Sequence, residues 1–184
     1  MYFLGRLGER KGVYDLIGVI PEIVKSMPDV HFYIGGDGEV EKCKEMSLKK
    51  GVEDHVTFLG WITGDQKERL LKACSVFVLP SYHEGMPMSL LEAMSYGLVV
   101  VSTKVGGIPK VVKNDETGYL IEAGDTGGLF KQIIEAVQGK NKKIIGMAAY
   151  KEILENFNIE QSINSLLALY KSLEGVSYGR IGYS

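Results

Sequence analysis

Val76-Phe77-Val78-Leu79-Pro80-Ser81-Tyr82-His83-Glu84-Gly85-Met86-Pro87-Met88-Ser89-Leu90-Leu91-Glu92-Ala93-Met94-Ser95-Tyr96-Gly97-Leu98-Val99-Val100-Val101 holds a whole structural unit. A β-branched apolar run, Val76 to Leu79, enters a loop rich in Gly and Pro; a helical stretch follows, and a second apolar run begins at Leu98. A strand that returns through a helix to another strand lies parallel to it, and such strands are buried on both faces. The same alternation extends in both directions. β-rich runs precede it at Met1 to Leu4, Val30 to Ile34 and His55 to Leu59, and another follows at Gly118 to Ile121. Between them apolar residues recur at helical spacing, as in Val13, Leu16, Ile17, Ile20, Ile23 and Val24, in Leu70, Leu71 and Ala73, and in Leu129, Ile133, Ile134 and Val137. The pattern predicts an α/β fold with a doubly wound parallel sheet. After Gly139 the strand pattern stops. Two helical stretches, Lys143 to Asn156 and Glu160 to Leu173, are expected to close a domain covering residues 1–174, with 175–184 as a loose tail.

With 184 residues, 45% of them hydrophobic, the chain is long enough to bury a core as one domain. Its 21 Lys and Arg are balanced by 23 Asp and Glu, so no domain-wide positive field exists to hold a nucleic-acid backbone, and any bound phosphate must be met locally. Cys43 and Cys74 sit in a helical segment and at the start of a strand, without metal-ligand spacing, and read as reduced core or near-core residues. The lysines at Lys140, Lys142 and Lys143 read as a solvated loop rather than a membrane-surface patch. No apolar run approaches the ~20 residues needed to span a bilayer, and Met1 opens straight into a strand without a charged leader. A cytoplasmic chain that begins at a domain boundary is the expectation.

In an open α/β sheet, ligands bind beyond the carboxyl ends of the strands. The first such loop is Gly5-Arg6-Leu7-Gly8-Glu9-Arg10-Lys11-Gly12. Its glycines let the backbone approach a ligand, and Arg6 and Lys11 supply two cations at a helix entrance, a cradle suited to a diphosphate. Read alone, the loop fits a surface turn with two solvated cations equally well. It is neither a Walker loop nor the Gly-x-Gly-x-x-Gly fingerprint of dinucleotide-binding dehydrogenases. The second loop is Gly35-Gly36-Asp37-Gly38-Glu39. Asp37 and Glu39 imitate a metal-binding pair, but a Gly-rich turn with an acidic helix start explains them more simply, so no metal is assigned; the backbone at Gly36 can still pass close to a ligand. The third is Gly60-Trp61-Ile62, where the only Trp of the chain stands at a strand exit and either receives a nucleobase or packs.

The fourth loop lies in the opening quotation. A Gly/Pro loop precedes a helix whose first turn offers free amides. Glu84 lies before that helix and Glu92 within it. Were every step between them helical, the rise would be ~12 Å, longer than the ~5–9.5 Å between two acids acting on one glycosidic bond, so the pair is expected to grip different parts of one extended ligand. His83 adjoins Glu84, but no nucleophile and base arrangement surrounds it. His31 and His55 fall in strand patterns and read as structural.

The string from Glu84 to Glu92 resembles the motif of family 4 glycosyltransferases of the GT-B fold. In the order expected of that family's C-terminal, Rossmann-like domain come Gly5-Arg6-Leu7 with Lys11-Gly12, Gly35-Gly36-Asp37-Gly38, Phe58-Leu59-Gly60, Val76 to Ser81, Glu92-Ala93-Met94, Gly97, Gly106-Gly107-Ile108-Pro109 and Thr117-Gly118. Together they cover Met1 to about Tyr170. The resemblance implies a UDP-, GDP- or ADP-sugar donor, transfer with retention of anomeric configuration, and neither cofactor nor obligatory metal. It implies that Arg6 and Lys11 neutralise the diphosphate leaving group and that Glu84 holds donor-sugar hydroxyls near the reacting carbon. Glu92 would accept hydrogen bonds from the ribose. Backbone amides of Gly85, Met86, Pro87, Met88, Ser89, Leu90 and Leu91 would line sugar and phosphate, proline contributing shape alone, and the main chain at Trp61 and Ile62 would receive the base. Lys110 departs from the pattern, where the family commonly has an acid.

The resemblance further implies that an N-terminal domain carrying the acceptor site is absent, so that the chain alone transfers little. The acceptor expected is a glycan or lipid-linked sugar of a surface polysaccharide or glycolipid route, with peripheral membrane association of a full enzyme at the inner face of the membrane. Two other readings stand beside this one: a nucleotide-sugar epimerase of the same architecture, and a non-catalytic nucleotide-binding module.

Overall fold

Each of the six β-rich runs is a strand, displaced by at most two residues from its sequence bounds at either end. The computed structural model describes residues 1–157 together with Ile163, Leu167, Ala168, Tyr170 and Ser172. Strands β1 (Tyr2–Leu4), β2 (Phe32–Gly35), β3 (Val56–Gly60), β4 (Val76–Leu79), β5 (Val99–Thr103) and β6 (Gly118–Ile121) form one sheet in the order β3-β2-β1-β4-β5-β6. Every pairing is parallel. The chain runs outward from β1 to β3, then returns to the centre and runs the other way from β4, so the order reverses between β1 and β4.

The helices are α1 (Val13–Ser26), α2 (Val40–Lys49), α3 (Gly64–Ala73), α4 (Met88–Ser95), α5 (Thr126–Gln138) and α6 (Lys142–Asn156). α1 packs against α2 and α5, and α4 packs against α6. β4 and β5 are buried along their whole length, as the unbroken Val/Leu runs require of strands covered on both faces. Fully burying each such side chain is worth about 1.5–3 kcal/mol. α1 buries a stripe of its own, Val13, Leu16, Ile17, Ile20 and Ile23, at the spacing that marked it in the sequence.

Two sequence readings shift. Cys74 is not the start of a strand but the residue that caps the C-terminus of α3, while Cys43 is buried in α2; both are free thiols. His31 and His55 stand just ahead of β2 and β3 and act as structural ties, His31 Nε2 to Thr57 Oγ1 at 2.8 Å and His55 Nδ1 to the Val30 carbonyl at 3.0 Å. The helix expected over Glu160 to Leu173 and the tail over Gly175 to Ser184 lie outside the described residues, apart from the isolated positions named above. Among the described residues no helix is long and apolar enough to cross a membrane.

Candidate donor site at the sheet's switch point

The reversal between β1 and β4 leaves a crevice beyond their carboxyl ends, and the Gly5–Gly12 and Pro80–Pro87 loops stand on either side of it. Backbone contacts fix the first loop to the second. The Gly5 amide donates to the Gly35 carbonyl at 3.1 Å, Leu7 to Asp37 at 2.6 Å, and Glu39 back to Leu7 at 2.9 Å. Gly36 has φ 138°, and a Cβ there would overlap the Gly5 carbonyl, so this glycine is what lets the two loops touch. Asp37 therefore serves through its backbone. Glu39 pairs with Lys42 one turn along, which agrees with the acidic helix start.

The fourth loop is held from below and behind. Thr103 Oγ1 donates to the Ser81 carbonyl at 2.6 Å and Ser102 Oγ to that of Leu79 at 2.7 Å, so β5 fixes the exit of β4. The Tyr82 amide donates to the Arg10 carbonyl at 2.9 Å, and its hydroxyl to Asp15 Oδ2 at 2.8 Å. The Gly107 amide donates to the Gly85 carbonyl at 2.6 Å, and a Cβ on Gly106 would overlap the Glu84 carbonyl. The Gly106-Gly107 string thus forms a close-packed support for the Glu84 backbone. Lys110, a few residues on, is exposed.

These supports bring Lys11 and Glu84 together. Lys11 Nζ lies 2.7 Å from Glu84 Oε1 and 2.9 Å from Oε2, and Ser81 Oγ donates to Oε1 at 2.7 Å. The Glu84 side chain is 4% exposed and that of Lys11 21%. Oε1 accepts two of these bonds, which leaves Oε2 as the oxygen with more capacity for a ligand hydroxyl. Glu92 has a matching partner, Lys67 of α3, at 2.8 Å. Neither Lys67 nor Ser81 stood out in the sequence. Each reads there as an ordinary polar residue of a helix or turn, and only the fold sets Lys67 against a carboxylate 25 positions away.

Helical structure starts only at Met88, so the separation of Glu84 and Glu92 is part loop and part helix. Leu90 and Leu91 donate their amides to the Pro87 carbonyl, at 3.1 and 3.4 Å. Met88 and Ser89, the first residues of α4, have no carbonyl one turn below them and are the amides left to face a ligand.

A cleft of about 330 Å³ runs across the switch point, lined by Gly5, Arg6 and Lys11 on one side, Gly36 and Asp37 beneath, Trp61, Ile62, Thr63 and Lys67 at the far end, and Pro87, Met88 and Ser89 along the helix start. Trp61 is 75% exposed and so does not pack into this domain, whereas Ile62 is buried. Neither Glu84 nor Glu92 lines the cleft wall; Lys11 and Lys67 do, each paired with one of the two acids. A second, wider groove of about 770 Å³ shares Arg6 and Lys11 and continues past Arg10. His83 lies off the main cleft, in a hollow with Glu9, Arg10 and Tyr82. Among the described residues no group of His, Cys, Asp and Glu is arranged to hold a metal ion.

Comparison with known proteins converges on the same domain. Residues 1–139 match the model of the family described as glycosyl transferases group 1. The chain is 34% identical over 163 residues to an N-acetyl-alpha-D-glucosaminyl L-malate synthase of Bacillus anthracis, covering 87% of this chain and 42% of that protein. It is 32% identical over 175 residues to a UDP-Gal:alpha-D-GlcNAc-diphosphoundecaprenol alpha-1,3-galactosyltransferase of Escherichia coli, covering 91% and 44%. Among solved structures, TarM from S. aureus, crystallised with UDP, superimposes with a TM-score of 0.82 at 26% identity, covering 92% of this chain and 34% of that one. The chain spans less than half the length of each. The six-stranded parallel sheet is the Rossmann-like half of a GT-B fold, and the chain belongs to the glycosyl transferases group 1 family as a C-terminal domain.

Proposed function

We propose that this domain binds the nucleoside-diphosphate sugar donor of a retaining glycosyltransferase. The observation that carries the proposal is the Lys11–Glu84 pair, set beside Arg6 at the head of the switch-point cleft. Transfer breaks the bond between the anomeric carbon and the diphosphate while the acceptor oxygen bonds to that carbon on the same face, and negative charge collects on the departing phosphate. Arg6 and Lys11 lie where that charge develops, and fixed cations in a partly buried site lower its energy without a metal. Glu84 anchors Lys11 and presents Oε2 to a sugar hydroxyl. The Met88 and Ser89 amides at the start of α4 add donors for phosphate.

The far end of the cleft, at Trp61 and Ile62, receives the base, and Glu92 meets the ribose. The relative from Escherichia coli carries a UDP-sugar in its name, and the S. aureus structure holds UDP, which supports uridine ahead of the GDP and ADP alternatives. The acceptor is a glycan or lipid-linked sugar, in polysaccharide or glycolipid synthesis.

Thermal unfolding with and without nucleotide tests this reading, because a ligand that binds only the folded state raises Tm by mass action. UDP, GDP or ADP in the presence of EDTA is expected to raise the Tm of the chain and to raise that of Glu92→Ala less. If none of the three shifts the folded chain, the proposal fails.

A further inference from the structure

Lys67 lines the cleft, and neither the sequence motif nor the donor reading accounts for it. It lies in the first turns of α3, three residues past the start of that helix and directly after the Trp61-Ile62-Thr63 exit of β3. Its ammonium reaches Glu92 Oε1 at 2.8 Å, its single hydrogen-bond partner among the described residues. Its side chain is 28% exposed and forms part of the cleft wall, and that of Glu92 beside it is 35% exposed. An ammonium carries three N–H groups in a tetrahedral array. One is committed to Glu92, so two remain, and the carboxylate restrains where they point.

From this we infer that Lys67 selects the base of the donor, favouring bases with an exocyclic oxygen, uracil or guanine, over adenine. The inference rests on the donor-site reading above. With the diphosphate at Arg6 and Lys11, an extended nucleotide lays its base toward Trp61, Ile62 and Thr63, the end of the cleft where Lys67 stands. Uracil offers O4 and guanine O6 as acceptors. Adenine offers an amino group at the equivalent edge, which meets the ammonium donor to donor. A site that hydrogen-bonds an acceptor of its ligand disfavours an analogue that presents a donor in its place. Glu92 is then doubly used: it takes the ribose hydroxyls on one side and fixes the base-reading lysine on the other. Lys67 is a specificity residue, distant from the bonds that break.

The test is calorimetric titration of the chain with UDP, GDP and ADP in EDTA, repeated for Lys67→Met and Lys67→Arg. The readout is the ratio of affinities within each protein. Loss of a cation, or misplacement of Glu92, weakens all three nucleotides alike and leaves the ratio unchanged. Wild type is expected to bind UDP or GDP about tenfold or more tightly than ADP, the scale of one hydrogen bond to a charged group. Lys67→Met is expected to bring that ratio within about threefold of unity, and Lys67→Arg to restore most of it. A wild-type chain that binds ADP as well as the others overturns the inference and leaves the donor site standing, as does a Lys67→Met variant that keeps the wild-type ratio. A chain that binds none of the three overturns the donor reading itself, and this inference with it.

Discussion

Lys11 and Glu84 stand 73 residues apart in the chain and meet at 2.7 Å across the point where the sheet reverses its strand order. The glutamate side chain is almost fully buried, so its charge depends on that lysine and on the Ser81 hydroxyl. Removing one member of such a pair leaves an uncompensated charge, which costs more than the pair contributes as a whole.

Lys11→Ala is therefore expected to destabilise the fold by about 2–3 kcal/mol, and Glu84→Ala by a similar amount. The double variant should fall short of the sum by at least about 1 kcal/mol. Urea unfolding of the four proteins measures this coupling. Strict additivity would show that the pair does not form in solution.

Backbone packing at the same place gives a second prediction. Gly12 and Gly51 both have left-handed backbone, φ 69° and 65°, but a Cβ on Gly12 would overlap the Pro80 carbonyl while one on Gly51 meets nothing within 4 Å. Gly51→Ala should cost about 1 kcal/mol, the strain of the conformation alone. Gly12→Ala should cost markedly more, because the first loop must then move away from the fourth. Equal losses for the two variants would contradict the close contact.

The fold was legible because parallel strands covered on both faces need unbroken apolar runs, and Val76–Leu79 and Val99–Val101 are such runs. α2 was not legible. It buries only Cys43 and Ser47, so its sequence, Val40 to Lys49, carries almost no apolar period to read. Within the site, the residues on Gly-rich loops were visible from the sequence, since local chain geometry sets them out. Lys67 and Ser81 were not, because their significance lies in contacts that the fold alone creates. The Gly106-Gly107 pair was visible only as part of a family pattern. Its physical role, a support with no room for a Cβ beneath the Glu84 carbonyl, depends on a strand and a loop twenty residues upstream.

Burial raises the Cys43 thiol to about 11, so at pH 8 little of it is thiolate, and the side chain is inaccessible as well. Iodoacetamide should leave Cys43 unmodified in the native chain and react with it only after unfolding. Mass spectrometry of the native adduct checks this. Rapid native labelling at Cys43 would show that α2 opens easily.

His31 is held below its ordinary value of 6.5, chiefly by burial, then by the nearby N-terminal ammonium and by His55. The unfolded chain therefore binds this proton at a higher pH than the folded one does. The stabilising effect is complete above pH 6.5 and is lost as pH falls from there through the folded value. His31→Gln should lose less Tm than wild type between about pH 7 and pH 5. Parallel Tm curves for the two proteins would contradict the assignment.

The central claim is that Arg6 and Lys11 hold a nucleoside diphosphate at the switch point without a metal. Calorimetric titration of the chain with UDP in EDTA, compared with the Arg6→Ala, Lys11→Ala double variant, tests it most directly. The account predicts EDTA-insensitive binding that weakens by about a hundredfold or more in the double variant, two charge-assisted contacts being lost. Binding that requires a divalent metal, or that survives loss of both cations in a folded variant, would contradict it.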